Sequence, residues 1–322
     1  MYQIDDIKNA ILFGDALLEL KKIPIESIDI IITSPPYWGL RDYGAPGQLG
    51  LEKTPEQYVD KMVKIFREAK RVLKNEGTLW LNLGDSYVSG KSRYSSGAQT
   101  LSGKTRGEPV NGNKPDLRHH KFLKDKDLAG IPWRVAFALQ ADGWYIRQDI
   151  IWHKPNPMPE SVTDRCTKSH EYIFLMSKSP KYYFETIKEK ANYDGRKQEK
   201  MRGSSKYTDK KIVPGNTPHT FASRGHVRWQ TVGGEKMRNK RSVWTVPNQP
   251  LREAHFATFP EALIEPIVLA GCPKGGIVLD LFMGSGTVAV VAKKLDRNYI
   301  GVEINPEYIK IAKRRLAQQK LF

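Results

Sequence analysis

Ile277-Val278-Leu279-Asp280-Leu281-Phe282-Met283-Gly284-Ser285-Gly286-Thr287 reads as a strand, a turn with two glycines, and the start of an apolar helix. Gly284 and Gly286 let the backbone turn sharply and come close to a ligand. A helix from about Thr287 presents unpaired N–H groups at its first turn. The next strand, Asn298 to Glu303, ends in an acid 23 residues after Asp280, a position suited to two ribose hydroxyls. Strand, glycines, helix, strand and acid in this order form a nucleoside-binding pattern. The form Gly284-x-Gly286-x-x-Ala289 also suits a nicotinamide dinucleotide, so this loop leaves the cofactor open.

Working outward, short apolar runs alternate with helical patterns. Ala10 to Asp15 is a strand ending in a turn, and Ile28 to Thr33 is a β-branched strand stopped by Pro35-Pro36. Thr78–Leu83, Tyr145–Trp152 and Tyr172–Ser177 are further strands. Continuous apolar strands are covered on both faces and so belong to a largely parallel sheet. Between them, Thr54 caps a helix with Pro55 at its first position and Gln57 completing a capping box. Its apolar stripe runs Tyr58, Met62, Ile65, Phe66, Ala69, Leu73, and Gly77 is read as following its end. Asn305-Pro306 opens the last helix. The alternation predicts an α/β, doubly wound, Rossmann-like sheet, whose ligands bind at the carboxyl ends of the strands.

Charge is concentrated. The 322 residues carry a net +17. Residues 186–250 hold net +10 and residues 86–127 net +5, which leaves the rest near neutral. These basic stretches also carry Gly, Ser and aromatics, a composition suited to phosphate and base contacts, so the expected partner is a nucleic acid. No apolar run approaches the length of a membrane span, and the first residues lack the pattern of a secretory signal. Two cysteines and seven histidines, without metal-ligand spacing, exclude a disulfide framework and predict no metal and a reducing cytoplasm.

Thr33-Ser34-Pro35-Pro36-Tyr37-Trp38 decides between cofactors. The prolines fix φ and remove two donors, so the carbonyls here stay out of helix formation. A hydroxyl and carbonyls accept hydrogen bonds from an amine, and Tyr37 offers a flat face to a base. The arrangement suits an exocyclic amino group held for electrophilic attack.

The Ser34-Pro35-Pro36-Tyr37 segment, together with Asp280 to Gly286, resembles the bacterial DNA amino-methyltransferases of restriction–modification systems, in the β-class order of motifs. The resemblance implies S-adenosylmethionine as cofactor, double-stranded DNA as substrate, and a bacterial or archaeal cytoplasmic enzyme, monomer or homodimer, with a separately encoded endonuclease as a possible partner. It implies a circularly permuted sheet, in which the chain begins with the usual third strand and the first two follow at the end. Serine at the first motif position is similar to the cytosine-N4 enzymes; adenine-N6 transfer is the alternative. Ser34, Pro35, Pro36 and Tyr37 are the implied catalytic residues. Asp15, Thr258 (within His255–Pro260), Asp280, Phe282, Gly284, Gly286, Thr287 and Glu303 are the implied cofactor residues. Residues 1–185 would form the catalytic half, 186–250 the target-recognition region and 251–322 the cofactor half. Arg224, Arg228, Trp229, Arg238 and Arg241 are candidate DNA contacts. A nicotinamide-dependent oxidoreductase leaves the Ser34–Tyr37 segment and the charge unexplained. A non-catalytic DNA-binding protein would not need both loops.

Overall fold

The computed structural model describes residues 1–40, 47–88, 120–191, 230–232, 235–249 and 259–318. In chain order the elements are α1 (Ile4–Ile7), β1 (Ala10–Phe13), α2 (Ala16–Leu20), β2 (Ile28–Thr33), α3 (Pro55–Val72), β3 (Leu73–Leu83), α4 (Ile131–Ala141), β4 (Tyr145–His153) and β5 (His170–Ser177). They continue with β6 (Lys188–Lys190), β7 (Gln230–Val232), β8 (Glu235–Asn239), β9 (Val243–Thr245), α5 (Glu261–Gly271), β10 (Ile277–Asp280), α6 (Thr287–Lys294), β11 (Asn298–Glu303) and α7 (Pro306–Gln318).

Eight strands form one sheet in the order β1-β11-β10-β2-β3-β5-β4-β9. The pairs from β1 through β3 are parallel, β5 runs antiparallel to both its neighbours, and β9 pairs parallel with β4. The sheet is thus mostly parallel, and the permuted order expected from the sequence is present. The first strand, β1, lies beside the last, β11, and β10 sits at the centre against β2.

Both faces are covered, which is why the central strands are apolar throughout. Ile31, Leu79 and Leu81 share one core with Tyr58, Met62 and Phe66 of α3 and with Val135 of α4. On the opposite face α5 lies close: a Cβ on Gly271 would stand 2.5 Å from Ile30 and 2.9 Å from Thr78. Thr54 does cap α3, accepting from the Gln57 N–H at 3.3 Å, with Pro55 in the first turn. The helix ends earlier than its stripe suggests. Leu73 and Gly77 belong to β3, where a Cβ on Gly77 would meet the Leu73 side chain at 2.7 Å and the Asp29 carbonyl at 2.9 Å. Close strand packing, not a helix C-cap, is what needs a glycine there.

The chain divides into two compact units, Met1–Glu185 with Ser242–Phe322, and Thr186–Arg241. The first includes β9, whose pairing with β4 places Val243–Thr245 in the main sheet although they lie inside the basic stretch 186–250. The second contains an antiparallel sheet of order β6-β8-β7.

Candidate functional site

The carboxyl ends of β1, β2, β3, β10 and β11 open onto a cavity of about 420 Å³. Its lining brings together Asp15, Ser34, Pro35, Pro36, Tyr37, Asp280, Phe282, Gly284, Thr287 and Glu303. Two loops, joined by a Thr33–Asp280 hydrogen bond across 247 residues of sequence, therefore line one cavity. Gly286 starts α6 at φ 81°, and its missing Cβ lets the turn lie against Ala312 of α7, where that atom would be 2.8 Å away. Gly284 is also left-handed, at φ 52°, but a Cβ there would meet nothing within 4 Å. It would occupy cavity instead, so this glycine keeps space open for a ligand.

The acids on this side have defined partners. Glu303 accepts from the Gly284 N–H at 2.7 Å and the Asn305 N–H at 2.8 Å. Burial pushes its carboxyl above the usual range, against those backbone hydrogen bonds. Asp280 accepts from the Thr33 hydroxyl at 2.8 Å and the Phe282 N–H at 3.1 Å, which ties β2 to the glycine loop. Burial pushes its carboxyl up to about 7, with the charge of Glu303 adding to the rise. Asp15 spends one oxygen capping α2 through the Leu18 N–H at 3.0 Å. Thr287 lines the cavity, yet its hydroxyl accepts from Arg315 at 3.0 Å, and the same guanidinium nitrogen holds the Ser285 carbonyl at 2.8 Å. Thr287 thus serves to anchor the loop to α7.

The wall around Ser34 and Tyr37 is denser. The Ser34 hydroxyl donates to the Tyr37 hydroxyl at 3.3 Å, and that hydroxyl donates to Glu171 at 2.7 Å. The Asn82 amide donates to Tyr37 at 2.6 Å, to Glu171 at 2.9 Å and to Ser34 at 3.3 Å. Lys154 closes the network as the ion-pair partner of Glu171, with its ammonium 4.2 Å from the centre of the Trp152 ring. Burial pushes the Glu171 carboxyl up; the Lys154 charge and the hydrogen bonds from Lys154, Asn82 and Tyr37 outweigh it and hold the acid below the usual carboxylate range. Tyr58 donates to the Pro36 carbonyl at 2.9 Å and so fixes the backbone within the tetrapeptide Ser34–Tyr37. Gly84 is obligatory for a different reason: a Cβ there would lie 2.4 Å from the Tyr37 ring. Gly84→Ala is expected to displace that ring and cut turnover at least tenfold with cofactor binding retained, as separate titration and kinetics would report.

This geometry sets a nucleoside-sized, acid-lined pocket beside a hydroxyl held by a polar network. A family model described as DNA methylase, of the N6 and N4 methyltransferases, matches residues 28–314. The chain belongs to the DNA N6/N4 amino-methyltransferase family. It is 46% identical over 316 residues to the type II methyltransferase M.Cfr9I of Citrobacter freundii, spanning 97% of this chain and 89% of that protein. M.SmaI of Serratia marcescens is 44% identical over 312 residues, spanning 96% and 91%. In fold it is similar to the PvuII cytosine-N4-specific DNA methyltransferase (18% identity, TM-score 0.61, 96% of this chain and 86% of that one). It is similar also to a putative DNA modification methylase of Thermus thermophilus solved with S-adenosyl-L-methionine (23% identity, TM-score 0.57, 96% and 93%).

The methyltransferase is therefore of the restriction–modification type, and its membership of a DNA methylase family removes the nicotinamide reading of the glycine loop; S-adenosylmethionine is the cofactor held by the Thermus thermophilus neighbour. The residues present fit that cofactor: an open cradle at Gly284, two buried acids for hydroxyl or ammonium groups, and apolar Phe282 on the same wall. Thr258 lies outside the described residues, whereas its neighbour Phe259 lines the cavity. Arg224, Arg228 and Trp229 also lie outside them. Arg238 and Arg241 are described, and both donate through Nε to one oxygen of Glu189 at 2.8 Å. Among the described residues no group of three His, Cys, Asp or Glu could hold a metal, and no helix is long and apolar enough to cross a membrane.

Asn82, Glu171 and Lys154 are the site residues that sequence reading missed or left vague. A lone Asn at the end of the apolar run Thr78–Leu83 was the available signal. Lys154 stands just after β4, in a proline-punctuated loop, and lines the cavity.

Asp280 carries a pH consequence. Its folded value of about 7 stands above the ordinary 3.8, so between those limits the folded chain keeps a proton that the unfolded chain has lost. The contribution to stability is full below about pH 4 and is lost as pH rises through 7. Its span is at most about 4 kcal/mol. Asp280→Asn is expected to flatten the pH dependence of urea midpoints across that window.

Proposed function

We propose that this methyltransferase methylates the exocyclic N4 amine of a cytosine flipped out of double-stranded DNA at a defined sequence. The observation that carries this reading is the shared cavity of Ser34-Pro35-Pro36-Tyr37 and the Gly284–Glu303 wall. Serine in place of an acid at the first position of that tetrapeptide supports cytosine over adenine. When bound, S-adenosylmethionine supplies a methyl group on a positively charged sulfur. Glu303 would accept from its ribose hydroxyls, Asp15 from its adenine amine, and Asp280 would meet its ammonium.

The target amine is hidden in a base pair, so the nucleotide has to leave the stack at a cost of a few kcal/mol. Stacking on Tyr37 would offset about 1–3 kcal/mol of that. The amine's lone pair is delocalised into the ring. Hydrogen bonds from its two N–H groups to Ser34 Oγ and the Pro35 carbonyl favour a pyramidal nitrogen with a localised lone pair. Rate then comes from holding that nitrogen in line with the methyl group. Cys272 is buried, with burial pushing its thiol up to about 12, which leaves no thiolate there at neutral pH.

The deciding experiment is expression in a methylation-deficient host, followed by long-read sequencing and nucleoside mass spectrometry. N4-methylcytosine in one sequence context is expected. N6-methyladenine would replace the base assignment, and unmodified DNA would favour a binding protein. The basic region 186–250 is proposed as the grip on DNA, and an endonuclease cutting the same site as the functional partner. Plotting log Kd against log salt should give a positive slope of about 4 or steeper, equivalent to four or more neutralised phosphates. A flat plot would remove the basic stretches from the DNA surface.

A further inference from the structure

The Ser34–Tyr37–Glu171 chain has more parts than holding an amine requires. We propose that Glu171 is the proton acceptor of the methylation reaction, reached from the substrate nitrogen through the hydroxyls of Ser34 and Tyr37. The inference rests on the reading of Ser34 as the amine's hydrogen-bond acceptor and extends it to the fate of the proton.

The hydrogen bonds point one way. Ser34 donates to Tyr37, and Tyr37 donates to Glu171 Oε2. Glu171 ends the line because an ionised carboxylate only accepts. The same carboxylate fixes the Asn82 amide, whose Nδ2 must face it; that N–H₂ then also meets Ser34 and Tyr37. Asn82 and Lys154 are thus positioning residues that keep both hydroxyls turned toward Glu171. The Ser34–Tyr37 separation of 3.3 Å is long for two hydroxyls, and such contacts commonly tighten once substrate is bound.

The proton balance closes. The nitrogen that has gained a methyl group carries a positive charge, and one of its N–H bonds must break. That proton passes to Ser34 Oγ as the serine's own proton passes to Tyr37 and the tyrosine's to Glu171. The base becomes neutral, both hydroxyls are regenerated, and Glu171 is left as the carboxylic acid. A ring-conjugated ammonium is a far stronger acid than a carboxylic acid, so the transfer runs downhill. Lys154, beside the opposite carboxylate oxygen, favours the ionised form and returns the proton to water.

Three variants test this in single-turnover methylation of a duplex between pH 6 and 8.5. Cofactor affinity and base flipping are followed separately, by titration and by 2-aminopurine fluorescence. Tyr37→Phe removes one oxygen and keeps the ring; Glu171→Gln removes the acceptor. Because Glu171→Gln strands the Lys154 charge, the pair Glu171→Gln with Lys154→Gln is made as well. The wild-type rate is expected to be independent of pH and of buffer concentration. Each variant should fall about 100-fold or more, in the range of roughly 10²–10⁴ typical of a lost acid–base group. Both binding readouts should stay within about twofold. The residual rate should climb with pH and with added imidazole, because solvent bases then have to take the proton. A loss that is equal at every pH and insensitive to imidazole would make the network a scaffold only and overturn the proposal, as would turnover within twofold of wild type. Ser34→Ala separates the two readings. If it stays active, the assignment of the amine site fails. If it is inactive while Tyr37→Phe and Glu171→Gln are active, the relay alone fails.

Discussion

Ser34→Ala should lower turnover by about 10²–10³-fold while the dissociation constant for S-adenosylmethionine stays within twofold. The first expectation follows from the worth of one preorganised hydrogen-bonding group aimed at a reacting centre, roughly 2.7–4 kcal/mol. The second follows from position. Ser34 stands on the loop after β2, and its polar partners are Tyr37 and Asn82; the Gly284–Glu303 wall is fixed independently through Thr33, Asp280 and backbone amides. Loss of the hydroxyl leaves Asn82 and Tyr37 joined to each other and to Glu171, so the fold should hold. Initial rates of labelled methyl incorporation into duplex DNA, with calorimetric titration of the cofactor, check both halves. Unchanged turnover would discredit the role of Ser34. Ser34→Asp is a different perturbation. It would set a second acid within reach of the Glu171 network, and like charges at that distance resist joint ionisation.

The sequence carried the sheet's centre well because the central strands are covered on both faces and have nothing polar to hide. Ile28–Thr33 and Asn298–Glu303 coincide with β2 and β11. It misled where one pattern continues across a change of structure. Leu73 extends the apolar stripe of α3, yet the chain turns into β3 at that residue, because pairing with Ile28 outweighs another half-turn of helix. The three-residue β9 could not be read from within a basic stretch; its pairing comes from β4 and not from its own periodicity.

The two loops of the site were legible because glycine and proline restrict the backbone and leave a local signature. Glu171 has none. It enters on β5, which pairs antiparallel with β3, so it reaches Asn82 and Tyr37 from the neighbouring strand although it lies 134 residues from Tyr37 in the chain. Nothing local to His170-Glu171-Tyr172 marks the acid as part of a site. Tertiary pairing alone creates its function, and it creates the partnership with Lys154 at the same time, since β4 and β5 are neighbours in the sheet.

Glu303→Ala is expected to weaken S-adenosylmethionine binding about 100-fold or more, with kcat at saturating cofactor reduced less than fivefold. The carboxylate does two things in the proposed complex. It organises the glycine loop by taking the N–H groups of Gly284 and Asn305, and its remaining lone pairs face ribose hydroxyls. Hydrogen bonds to charged groups contribute roughly 1.5–3 kcal/mol each, so losing two to the cofactor gives at least about 3 kcal/mol, or two decades in affinity. Alanine also leaves the two backbone donors without their acceptor, so the loop must be ordered at the moment of binding and affinity falls further. Glu303→Gln tests that second part. An amide offers one oxygen for the two backbone N–H groups and turns an N–H₂ toward the other, so affinity should recover only partly although the size is kept. Isothermal titration of the three proteins with cofactor gives the ordering directly. An unaffected dissociation constant in Glu303→Ala would remove this acid from the cofactor site, and with it the assignment of the Gly284–Glu303 wall to the nucleoside.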